Sequence, residues 1–364
     1  MTIKHITNYI EELAPLNYAE EFDNVGLLVG NYATKVSGVL ITLDTLEETV
    51  DEAISKNCNL IVSFHPIVFS GLKKINGNSY VERVVLKAIK NDIAIYATHT
   101  ALDNSKNGVS AKICEVLGLM NTKILIPKKG IIKKLTTYVP IDKADFLRNS
   151  LFKSGAGNIG NYDNCSFSVL GDGTFRGNEN SNPVVGERGE FRTENEAKIS
   201  VVYESKNENK ILKSLQENHP YEEAAYEIVT TENVHQNIGM GMIGELSKEM
   251  DEKEFLLFLK ENMKTDCIRH SAFINKKIKK VAVLGGSGSF AISNAISANA
   301  DAYVSADFKY HEFFKAENSI LLADIGHYES EQFTKKLLVD YLTKKFSNFA
   351  IILSEKSTNP IYYI

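Results

Sequence analysis

The chain predicts an α/β protein: two similar α/β lobes forming one sheet-based domain, with a smaller α+β module inserted between them. Three observations carry that expectation across its 364 residues. Strand and helix signals alternate through the first third, the same alternation returns after about residue 250, and the texture between them is different.

In the first third, "GVLITLD" (38–44), "NLIVSFHP" (59–66) and "IAIYATH" (93–99) are short, nearly continuous apolar runs. Such runs suit strands covered on both faces. Each is followed by apolar residues at helical spacing, in "TLEETVDEAISKN", "YVERVVLKAIKND" and "VSAKICEVLGL". After about residue 250 the rhythm resumes with "KKVAVLGGSGSF", "DAYVSA", "SILLADIG" and the helical "YESEQFTKKLLVDYLTKKF". "FAIILSE" adds an edge strand. Between the halves, "KKLTTYVP", "DKADFLRNSLFKSG", a Gly/Asn-rich hairpin, "AKISVVYE", "KNENKILKSLQEN" and "YEIVTTE" give the order β-α-β-β-α-β. That order fits a ferredoxin-like module. The expected boundaries are 1–127 for the first lobe, 128–236 for the insert and 237–364 for the second lobe.

Composition narrows the function classes. The chain is 43% hydrophobic and 24% charged, with a formal net charge of −5, as in ordinary globular proteins. No basic tract marks a nucleic-acid partner, which needs clustered Lys and Arg to neutralise phosphates. The four cysteines are far apart and form no CxxC, so reduced, buried thiols are expected. "MTIKHITNYIEEL" reads as an amphipathic helix rather than a signal peptide. No apolar stretch approaches the roughly 20 residues that span a bilayer. A cytoplasmic protein with no membrane partner is the expectation.

Open α/β sheets bind ligands beyond the carboxyl ends of their strands. There, "IVSFHP" ends in His65, "IYATHTALD" in His99 with Asp103 beyond, and "LLADIGHYESE" in His327 with Glu331 one turn later. One strand-end histidine is usually structural. Three of eight histidines and two carboxylates at three such ends suggest a shared site. Imidazole and carboxylate together suit zinc, iron, manganese or nickel better than magnesium or calcium. Residues 327 and 331 are spaced to place two ligands on one side of an ion. The candidates for that site are His65, His99, Asp103, His327 and Glu331. His99 is expected to orient a ligand or act as a general base, with Glu331 also in a catalytic role and Tyr310 and His311 as donors nearby. "VLGGSGSF" reads as a tight strand-to-helix turn, with an anion cradle as the alternative. His219 and Glu222, in "NHPYEEAAYE", read as a solvated turn.

Together the motifs "EEFDNVGLLVG", "SFHPIVF", "HTALD", "GGSGS", "SADFKYHE" and "DIGHYESE" resemble those of the Nif-three-like family, usually labelled GTP cyclohydrolase I type 2 homologues. The resemblance covers essentially the whole chain. The insert, with "GAGNIGNYDNCSFS" and "HPYEEAAYEI", resembles the PII- or CutA-like module of the longer bacterial members. The resemblance implies a Nif-three-like fold, a ring-shaped homohexamer and paired metal sites facing its interior. It also implies a ligand set matched by His65, Asp103, His327 and Glu331. Phe64 stands where the family has its first histidine, so one strong site and a weakened second one are expected. Zinc is the first expectation for the ion. Met242 stands where an arginine often follows the second glycine, which removes an anion contact. The expected function is metal-dependent hydrolysis of a small heterocyclic or nucleotide-like substrate. The alternative is a non-enzymatic, metal-binding regulatory assembly with a small-molecule-sensing insert.

Overall fold

A computed structural model describes residues 1–364. Contacts divide the chain into two compact units, one of Met1–Pro127 with Gln236–Ile364 and one of Lys128–His235. In chain order the first strands are β1 (Gly26–Val29), β2 (Val39–Thr42), β3 (Leu60–Ser63), β4 (Ala94–Ala97) and β5 (Met120–Lys128). Next come β6 (Ile132–Pro140), β7 (Ser166–Arg176), β8 (Phe191–Glu204) and β9 (Tyr226–Thr230). The last six are β10 (His235–Asp251), β11 (Arg269–His270), β12 (Lys277–Ser287), β13 (Ala302–Ala306), β14 (Leu321–Asp324) and β15 (Ile351–Leu353).

The larger unit holds two sheets, with strand orders β1-β4-β3-β2-β15 and β11-β14-β13-β12-β10-β5. β2, β3 and β4 run parallel, as do β12, β13 and β14. The halves also exchange strands. β15, from the second half, pairs in parallel with β2, and β5, from the first, lies beside β10. The two halves therefore form one unit, each lending one edge strand to the other's sheet. Edge strands are placed by the ladder they complete, which local sequence does not reveal.

Strand periodicity explains the layers. In β2 and β3, Val39, Ile41, Leu60 and Val62 face a core shared with Val281, Val283, Val304 and Leu321 of the other sheet. The alternate residues Leu40 and Ile61 face a second core with Val84 and Ala88 of the helix Tyr80–Lys90. In β12–β14, Ala282, Tyr303 and Leu322 likewise face a third core. Successive side chains point to opposite faces, so runs apolar at every position are buried on both. Each large aliphatic side chain so buried contributes roughly 1.5–3 kcal/mol.

The smaller unit follows β6–helix–β7–β8–helix–β9, with sheet order β7-β8-β6-β9 and antiparallel pairing throughout. Its helices, Ala144–Lys153 and Glu208–Asn218, bury Leu147, Leu151, Ile211 and Leu215 against Leu135, Val139, Ile199 and Val201. No helix in the chain is long and apolar enough to cross a membrane.

Candidate metal centre

The larger unit brings His65, His327 and Glu331 together at the carboxyl ends of strands from both sheets. Chain flow past β3 delivers His65, whose backbone N–H donates to the Leu43 carbonyl at 2.9 Å. Past β14, Asp324 Oδ1 accepts the Gly326 N–H at 3.1 Å and fixes the turn. Gly326 takes φ +94°, a conformation costly for any L side chain, and opens the short helix His327–Glu331. One turn then carries both of the helix's contributions to the site.

Three atoms define the centre. Glu331 Oε2 lies 3.2 Å from His65 Nε2 and 3.3 Å from His327 Nε2, and the two nitrogens are 3.5 Å apart. Ligands about 2.0–2.1 Å from one tetrahedral ion stand about 3.3–3.5 Å from one another, so the triangle has the dimensions of a shared cation. Glu331 Oε2 is buried and meets no hydrogen-bonding group besides these two nitrogens, and such a mixed nitrogen and oxygen set suits a divalent transition metal. The residues present therefore fit a divalent cation.

The opposite ring nitrogens are held. His65 Nδ1 donates to Asp44 Oδ1 at 2.8 Å, and His327 Nδ1 donates to Asp307 Oδ2 at 2.7 Å. Thr358 Oγ1 donates to Asp44 Oδ2 at 2.6 Å, and Ser287 Oγ bonds Asp307. A carboxylate on Nδ1 fixes the tautomer that leaves Nε2 free to coordinate and raises its basicity. Burial alone would lower both histidine pKa values, but Asp44, Asp307 and Glu331 outweigh it, and His65 is raised to about 9 and His327 to about 11. Burial would raise Glu331, but the two imidazoles hold it down at about 2. The centre is thus a compact carboxylate–bis-imidazole cluster in which a bound cation would take the place of the Nε2 protons.

The glycine loop has a steric role. Gly286, at φ +72°, packs so closely on the Glu331 carboxylate that a Cβ would collide with Oε1. Its N–H donates to Ser330 Oγ at 2.8 Å, and Ser330 Oγ donates to the His327 carbonyl at 2.8 Å. "GGSGS" is the expected strand-to-helix turn, carrying β12 into a short helical turn at Ser289–Ala291 and the helix Ile292–Ser297, and it also packs against the helix His327–Glu331.

The other expected residues fall around the centre. Asp103 is not in the close group of three. It ends the short helix His99–Asp103, and burial, then the charge of Glu331, pushes its carboxyl well above the usual range while His65 and His327 pull against that shift. The His99 ring centroid lies 5.3 Å from that of His65. His99 Nδ1 donates to Asp23 Oδ1 at 2.7 Å, and its φ of +23° is strained for a histidine. Phe64 is fully buried in the shared core, its ring 4.9 Å from that of His65. Tyr310 and His311 pack on each other and on Phe314, with Tyr310 73% exposed. In the smaller unit, His219 is buried, its Nε2 donating to the Tyr138 carbonyl at 2.9 Å, so it is a structural histidine and not part of a solvated turn. Of the cysteines, Cys58 and Cys114 are buried, while Cys267 is exposed rather than buried as expected.

Two mixed-sheet lobes sharing a core, with a His/His/Glu cluster where their strand ends meet, define a two-lobed α/β protein with a candidate metal site. The chain belongs to the Duf34/NIF3 (NGG1p interacting factor 3) family, whose sequence profile matches residues 1–360. A Bacillus subtilis protein named GTP cyclohydrolase 1 type 2 homolog is 36% identical, with 99% of this chain and 98% of that one covered. A Halalkalibacterium halodurans protein of the same name is 34% identical over the same shares. The solved Bacillus cereus protein related to NIF3 superposes with a TM-score of 0.83 at 35% identity, covering 100% of this chain and 99% of that one.

Sequence reasoning missed Asp44, Asp307 and Asp23. Asp44 and Asp307 each end a strand run, in "GVLITLD" and "VSAD". The same strand-end rule that found the histidines would have found them.

Proposed function

We propose that this chain is a divalent-metal-binding protein that acts as a metal-dependent hydrolase on a small heterocyclic or nucleotide-like substrate. The single observation that carries the reading is the triangle of His65 Nε2, His327 Nε2 and Glu331 Oε2, 3.2–3.5 Å on a side, closed around a buried carboxylate. A divalent ion held by His65, His327 and Glu331 supplies Lewis-acid activation of water. Zinc suits this mixed nitrogen and oxygen set first, with iron, manganese and nickel as alternatives. Asp103, in the same electrostatic field, is the further ligand we assign. His99, with Nδ1 engaged by Asp23, presents Nε2 as a proton acceptor. Phe64 offers no donor atom, so we assign one strong ion per chain and a weak second position. The name shared by the relatives supports a nucleotide-like substrate, and the family resemblance supports a homohexamer with a PII- or CutA-like insert.

The test is metal analysis and turnover together. The purified chain should carry about one ion, and His327→Ala should carry none. His99→Ala should keep the ion while hydrolysis of cyclic-amide or nucleotide substrates falls by about 10²-fold or more. Two full ions per chain would refute the single strong site, and unchanged turnover in His99→Ala would remove His99 from the chemistry.

A second reading, a ligand-sensing assembly, is favoured by a cavity of about 740 Å³ in the smaller unit between β7, Glu196 and Tyr221. An effector that binds the chain and leaves turnover undetectable would select it.

A further inference from the structure

His65 and its partner Asp44 also line a pocket of about 350 Å³. That is the low end for small-molecule sites. Its walls are apolar: Leu46, Pro66, Ile67, Pro360 and the ring of Tyr80. His65 reaches into it from the metal centre, and Thr358 and Asp44 close the remaining side.

Charge decides what fits. No Lys or Arg lines the pocket, and phosphate recognition depends on such groups. Asp44 is there instead, with both oxygens already committed to His65 and Thr358. The adjoining helix Glu47–Ser55 does not compensate. Its N-cap Leu46 N–H is already accepted by Thr49 Oγ1, and Glu47 and Glu48 occupy its first turn, opposing an anion at that end. A polyphosphate would meet negative charge and no partner.

One polar group there is unsatisfied. Thr45 is 2% exposed and its hydroxyl has no hydrogen-bond partner. Buried hydroxyls are normally paired, and Thr45 is one of the residues that line this pocket. We propose that the pocket binds an uncharged, planar heterocycle bearing a ring amide. In that assignment the ring lies along Tyr80 and the prolines, the amide meets Thr45, and one edge faces His65. This deepens the hydrolase reading and rests on it for its chemical consequence, although the binding itself does not need the ion.

The experiment is calorimetry on the full chain, stripped of metal, with hypoxanthine, inosine and inosine triphosphate as probes. Hypoxanthine should bind, and the triphosphate at least tenfold more weakly. Thr45→Val, which keeps the side-chain shape, should weaken hypoxanthine about tenfold, as losing one buried hydrogen bond does. Tyr80→Ala should weaken it as well, and circular dichroism should show both variants folded. A triphosphate that binds more tightly than the free base, no binding of the base at all, or affinity unchanged in both variants overturns the proposal. Failure of the wild-type chain to take up a divalent ion in the same preparation counts against the hydrolase reading and leaves the pocket result standing.

Discussion

The nitrogens of His65 and His327 that face away from the centre govern it as much as those that face in. Asp44 and Asp307 hold them at 2.8 and 2.7 Å, so Asp44→Asn and Asp307→Asn should each lower metal affinity by about 10- to 100-fold with the fold intact, measured against a competing chelator. The clustered residues His65, His327 and Glu331 were legible because histidines at strand ends are rare enough to count. Their supports were not, because a single aspartate ending a strand is common. What pairs Asp44 with a histidine 21 residues away, and Asp307 with one 20 residues away, is the parallel order of neighbouring strands. Asp23 makes a separate, pH-dependent contribution. Burial would raise its pKa, but hydrogen bonds from His99 and Thr100 hold it at about 2. A carboxylate with a depressed folded pKa stabilises fully above its unfolded value near 4 and loses that contribution as pH falls toward 2. The size is about 2 kcal/mol. Between pH 5 and 3 the melting temperature should therefore fall more in the wild type than in Asp23→Asn, and parallel curves would show that Asp23 is not the group responsible.

Among elements, the parallel strands β2–β4 and β12–β14 and the helices that follow them were legible because continuous apolar runs and 3.6-residue periodicity are local signals. β1, β5, β10 and β11 were not read as strands. In β5, Met120–Lys123 are exposed, and the strand's place beside β10 follows from pairing in the other half's sheet. At the end of β12, "GGSGS" read as a strand-to-helix turn, as it proves to be, but composition does not say what approaches the missing Cβ. Here it is the Glu331 carboxylate. Gly286→Ala adds a methyl at a left-handed backbone position and against Oε1, so it should cost about 1–3 kcal/mol and abolish tight metal binding. Gly71→Ala is the control. A Cβ there meets nothing within 4 Å, and stability should stay within about 0.5 kcal/mol. Thermal melts and metal titrations of the two variants decide whether Gly286 acts through the carboxylate.

For the whole molecule, the question is whether the centre depends on the inserted unit. His65, His327, Glu331, Asp44 and Asp307 all lie outside Lys128–His235. The chain leaves along β5 and returns along β10, which are neighbours in one sheet. Close approach near the exit is built in, because a Cβ on Gly239 would strike the Ile126 carbonyl. The two ends of the larger unit are therefore near enough for a short turn to join them, a situation in which excision of an insert is tolerated. The inserted unit has its own core of Leu135, Leu147, Ile199, Val201 and Leu215, so removing it strips no side chain from the shared core of the two sheets. Replacing residues 129–235 with a four-residue glycine-rich turn should give a soluble protein. It should unfold cooperatively and bind one divalent ion with an affinity within a few-fold of the full chain. If turnover resides in the larger unit it survives the excision; if the insert senses an effector, only the response to that effector disappears. Loss of metal binding in a deletion variant that still unfolds cooperatively would mean that the geometry of His65, His327 and Glu331 is set partly by the inserted unit.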